Sequence, residues 1–84
     1  MKKDEFDEKL YELDGEIETF KRFASTFNGR QHELDSILSR KESIKSARRS
    51  VHSDMEWDRA QPTLEKNYND LTRDYVDLRY RTTR

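Results

Sequence analysis

The residues best equipped for chemistry are two histidines, His32 and His52, so the first question is whether any neighbour completes a site. His32-Glu33 opens the helical zinc-protease pattern His-Glu-x-x-His, in which two histidines four apart share a helix face and hold the metal. Position 36 is Ser36, so the second ligand is missing. If one helix carried both His32 and His52, they would lie about 30 Å apart at ~1.5 Å per residue, too far for a shared metal or a proton relay. Both read as solvated surface histidines. With no cysteine in the chain, thiolate metal sites and thiol nucleophiles are absent as well. The expectation is a protein that is not an enzyme, with no catalytic, cofactor-binding or metal-ligating residue and no cofactor.

A second chemistry to weigh is phosphate binding by the basic run Arg40, Lys41, Lys45, Arg48, Arg49 and His52. These residues spread around the helix, Glu42 interrupts them, and no helix-turn-helix or base-stacking pattern accompanies them. The whole chain carries 17 Lys plus Arg against 18 Asp plus Glu, a balance that calls for neither nucleic acid nor an anionic membrane. No apolar run exceeds two residues, which gives neither a transmembrane span nor a secretory signal in this sequence. Nucleic acid is therefore an unfavoured partner, and membrane insertion is not expected.

What remains is recognition by apolar side chains, and their spacing identifies the elements that carry them. The chain has 84 residues, 42% charged and 31% hydrophobic, so its few apolar residues must be economically placed if it is to fold. Phe6, Leu10, Leu13, Ile17, Phe20, Ala24 and Phe27 alternate at spacings of four and three, a continuous heptad seam. Asn28-Gly29 follows, a pair that tolerates the left-handed conformation at helix ends. Leu34, Ile37, Ile44, Val51 and Met55 continue the pattern, with Lys41 and Arg48 on the two remaining rungs. Those two cations have two readings: snorkelling to water at a bundle edge, which is favoured, or pairing with carboxylates of a neighbouring helix and so fixing register. Trp57, Gln61, Leu64, Tyr68, Leu71, Tyr75 and Leu78 form the third ladder, interrupted near its start by Pro62.

The fold expected is all-α: an antiparallel helical hairpin or a three-helix bundle with coiled-coil-like heptad seams, forming one helical domain over 1–84. Its helices should span about 4–27, 30–55 and 58–81, with the second corner within 53–61. The seam runs in phase across Asn28-Gly29, which keeps the long-helix hairpin open as an alternative. Charge is unevenly shared, with net values of −3 over 1–29, +3 over 30–52 and −1 over 53–84, so the first two segments are complementary.

Phe27-Asn28-Gly29 is similar in form to the Trp-x-Gly turn of the WXG superfamily. Trp57-Asp58-Arg59-Ala60, with the ending Asp77-Leu78-Arg79-Tyr80-Arg81, resembles small helical partner proteins encoded beside LXG toxins of Gram-positive type VII secretion. The resemblance implies a helical hairpin that packs on a toxin's N-terminal helices and helps direct it to the secretion machine. It further implies a cytoplasmic protein, or one co-exported with its partner. No Tyr or Phe here has Asp or Glu four residues on, so the family's Tyr-x-x-x-Asp/Glu export signal is absent. The function expected is a non-enzymatic helical protein-binding module, a chaperone or targeting partner in a heteromeric complex. Phe20, Phe23, Phe27, Trp57, Tyr68 and Tyr75 are the expected partner-binding anchors, with Trp57 also fitting a core staple that closes the corner. The alternatives are a self-associating structural coiled coil and a phage or mobile-element nucleic-acid-binding regulator.

Overall fold

The computed structural model describes residues 1–24 and 31–82 of the chain. Three helices account for nearly all of them: α1 (Lys3–Ala24), α2 (Gln31–Arg49) and α3 (Asp54–Thr82). All three pack on one another as a three-helix bundle measuring 44 × 17 × 17 Å. The long axis is the length of α3, whose 29 residues span about 43 Å at ~1.5 Å per residue.

The core is the three ladders brought face to face. Phe6, Leu10, Leu13, Ile17 and Phe20 from α1 meet Leu34, Ile37 and Ile44 from α2 and Trp57, Leu64, Leu71, Tyr75 and Leu78 from α3. Leu38, Val51, Ala60 and Tyr68 pack at the margins. Rings carry much of the α1–α3 contact: Phe6 lies 5.3 Å from Trp57 and 5.8 Å from Tyr68, and Phe20 meets Tyr75 edge-on at 5.8 Å. Ala24 and Phe27, the last rungs of the first ladder, and the Asn28-Gly29 joint fall outside what can be described, Ala24 as to its side chain.

Relative directions follow from paired contacts one heptad apart. Tyr68 Oη donates to the Lys9 carbonyl at 3.4 Å and Tyr75 Oη to the Glu16 carbonyl at 3.2 Å, so α1 and α3 run parallel. Between α2 and α3, Arg40 pairs with Asp74 at 2.6 Å and Glu33 with Arg81 at 3.3 Å. One number rises by seven as the other falls by seven, so that pair is antiparallel. The arrangement is up, down, up.

Two expected boundaries are corrected. The helix placed at 30–55 ends at Arg49, and the corner lies at 50–53 instead of within 53–61. Ser53 Oγ accepts from the Glu56 N–H at 3.2 Å, while the Glu56 carboxylate accepts from the His52 N–H at 2.7 Å, a near-reciprocal cap that starts α3 four residues earlier than expected. Met55 thus belongs to the first turn of α3 and is exposed, so its place on the second ladder was a coincidence of phase. Pro62 sits in the ninth position of a continuous α3 on its exposed side, where it removes one hydrogen bond without ending the helix.

Candidate partner-binding surface

The bundle divides the six expected anchors. Phe20, Trp57 and Tyr75 are buried in the chain's own core and Tyr68 is partly buried against it. Phe27 lies outside the described residues. Of the five that are described, Phe23 alone presents a largely exposed ring, 65% accessible. The reason is angular: Phe20 lies on the seam, whereas Phe23, three residues on and short of a full turn, falls beside it on the flank shared with Tyr75 and Arg79 of α3. Trp57 serves as the staple reading required, with Phe6 on its ring and the Arg48 guanidinium 5.8 Å above it.

Phe23 forms one wall of an open groove of about 650 Å³ along the α1–α3 flank. Gly15, Glu16, Thr19 and Phe20 complete the α1 side, with Tyr75 and Arg79 contributed by α3. Gly15 is exposed, and a Cβ added there would meet nothing within 4 Å. The glycine weakens α1 by about 1 kcal/mol relative to alanine, a local cost with no packing benefit inside the monomer. Thr19 turns its hydroxyl back to the Gly15 carbonyl at 2.9 Å and so presents its methyl group outward. Arg79 stacks 6.0 Å from the Tyr75 ring, and the Tyr75 hydroxyl, with Glu16 nearby, holds its guanidinium pKa above the ordinary arginine value. The lining is therefore apolar with two charged side chains at its edge.

The basic run has a different fate. Snorkelling, the favoured reading for Lys41 and Arg48, is overturned. Lys41 is 2% exposed, with its Nζ 2.5 Å from Glu18 and 2.7 Å from Asp14. The Asp14 Oδ1 contact is close but poorly aligned as a hydrogen bond, so charge carries it. Lys45 meets the other Asp14 oxygen at 3.0 Å, and Arg48 holds Asp7 through two nitrogens at 2.6 and 2.8 Å. Arg40 is engaged by Asp74. Burial alone would push the Asp14 carboxyl up, but the Lys41 and Lys45 ammonium groups outweigh it and hold it below the usual carboxylate range. Lys41 in turn is desolvated, yet Asp14 and Glu18 raise its pKa, and the same ammonium lowers that of Glu18. Four of the cations that might have followed a phosphate backbone are thus paired within the molecule.

The signal for this row was present in the sequence. Asp7 and Asp14 are seven apart, as are Lys41 and Arg48, so matched rows of opposite charge with one period run along α1 and α2. The two histidines occupy opposite ends of α2, His32 in its first turn and His52 beyond its last residue. Among the described residues no cluster of three or more metal-ligating side chains occurs, and no helix is long and apolar enough to cross a membrane. No protein-family model, curated protein or solved structure matches the chain.

Proposed function

We propose that this protein is a non-enzymatic helical protein-binding module that acts as a chaperone or targeting partner for a secreted toxin of type VII secretion. The observation that carries the binding role is the apolar groove on the α1–α3 flank, with Phe23 exposed on its wall and the side-chain-free Gly15 in its lining. An amphipathic helix laid along such a groove would bury the Phe23 ring and approach the α1 backbone closely at Gly15, the helix-in-groove mode of recognition. The secretion context rests on the resemblance of Phe27-Asn28-Gly29 to the Trp-x-Gly turn of the WXG superfamily and of Trp57-Asp58-Arg59-Ala60 to the partners of LXG toxins. Internal pairing of the basic run leaves the nucleic-acid alternative without a structural argument.

Co-expression with the N-terminal helical domain of a toxin encoded beside the gene tests this reading. A stoichiometric complex that survives size exclusion is expected. A chain that purifies as a stable homodimer and ignores that domain would favour the self-associating coiled coil instead.

A further inference from the structure

The α1–α2 contact carries the most deeply buried ion pairs described, centred on Lys41 at 2% exposure. The four ion pairs described across it each join an α1 carboxylate to an α2 cation: Asp7 with Arg48, Asp14 with Lys45, and both Asp14 and Glu18 with Lys41. We propose that this row is the pairing code of the bundle, selecting which helix lies against α2 and at which register, while the apolar seams supply most of the stability.

The heptad itself explains why a code is needed. The apolar ladder of α1 repeats every seven residues, so sliding α1 by one heptad keeps apolar side chains facing the core. The acidic row repeats only once, at Asp7 and Asp14, and the position seven residues beyond Asp14 is Lys21. Advancing α1 by seven residues would replace Asp14 with Lys21 opposite Lys41, like charge against a buried ammonium. Retreating by seven would put Tyr11 in the place of Glu18 and leave Lys41 with Asp7 in the place of Asp14. Pairing α2 with α2 of a second copy would set two cationic rows against each other, and α1 with α1 two anionic ones. Of these arrangements the observed register alone gives Lys41 two carboxylates, Asp14 and Glu18, and the chain's own α1 supplies them.

Location favours specificity over bracing. Lys41 and Arg48 stand on seam rungs that an aliphatic residue would fill, and a buried ion pair contributes little net stability relative to such a residue, whereas a polar residue on a seam fixes register.

Two sets of variants test the proposal on the full chain. Reversing the acidic side (D7K/D14K/E18K) or the basic side (K41E/K45E/R48E) should lower the melting midpoint by roughly 10 °C or more, and the six-fold variant should regain the parental midpoint within a few degrees. Erasing the code with K41M/R48L should leave the midpoint unchanged or raised, but give multiple amide resonance sets or a higher-mass species by light scattering. The proposal is overturned if either reversal melts like the parent or the six-fold variant stays destabilised. It is equally overturned if K41M/R48L remains one species with one set of resonances, since the row would then be a brace alone.

Discussion

Lys41 gives the sharpest energetic prediction, because the cost of breaking its network depends on which side is removed. In Asp14→Ala/Glu18→Ala the ammonium stays in a site 2% exposed, with only Glu42 of its own helix at 3.6 Å. An uncompensated buried charge costs about 3–5 kcal/mol. For 84 residues the total stability is about 4–13 kcal/mol at roughly 0.05–0.15 kcal/mol per residue, so the loss is a large share of it. The melting midpoint should fall by about 12 °C or more, at ~4–8 °C per kcal/mol. In Lys41→Met the unbranched side chain follows the lysine stem, Asp14 keeps Lys45 at 3.0 Å, and Glu18 is half exposed to water. No buried charge is stranded, and stability should change by no more than about 1 kcal/mol. Thermal and urea melts followed by far-UV circular dichroism read both variants. Equal destabilisation of the two, or a negligible effect of the double alanine, would refute the reasoning.

Three other outcomes follow from the same geometry. The lowered carboxyl pKa values of Asp14 and Glu18 mean that their contribution is present above the ordinary carboxylate range and lost as pH falls through the folded values; the raised value of Lys41 means its share is lost only as pH rises past the ordinary lysine value. Urea midpoints should therefore be flat around neutrality and drop below about pH 4, and a steep change between pH 6 and 8 would contradict the assignment. Gly15→Ala should raise stability by about 0.5–1 kcal/mol in the isolated chain, since the position is helical and open, while weakening partner binding measured by titration. Ser53→Ala should cost about 1 kcal/mol by loss of the α3 cap, read as an earlier melt, and an unchanged melt would show that the Glu56 carboxylate caps the helix alone.

Much of the fold was legible because the heptad is nearly unbroken. Phe6 to Phe20 and Trp57 to Leu78 could be assigned to the core from spacing alone, and the net charges of the first two segments anticipated their pairing. The choice between hairpin and bundle was not legible, since a seam that stays in phase across Asn28-Gly29 suits either one. The second corner was misplaced because Met55 happened to fall on the ladder, although Ser53 and Glu56 three residues on form a recognisable start signal. Lys41 was misjudged because a cation on a seam is solved by water or by a carboxylate, and only the position of the α1 flank decides which. For the candidate surface, spacing favoured seam aromatics such as Phe20, Trp57 and Tyr75, which the core claims. Phe23, lying beside the seam, retains the exposed ring.

Docking of a toxin helix in the Phe23 groove, as proposed, can be measured by calorimetric titration. The purified N-terminal helical domain of the proposed toxin partner would be added to the parental chain and to Phe23→Asp, whose exposed position spares the core. Saturable one-to-one binding to the parent is expected, weakened at least about tenfold in the variant, the equivalent of ~1.4 kcal/mol. Equal affinity for both chains, or no binding to either one, would contradict it.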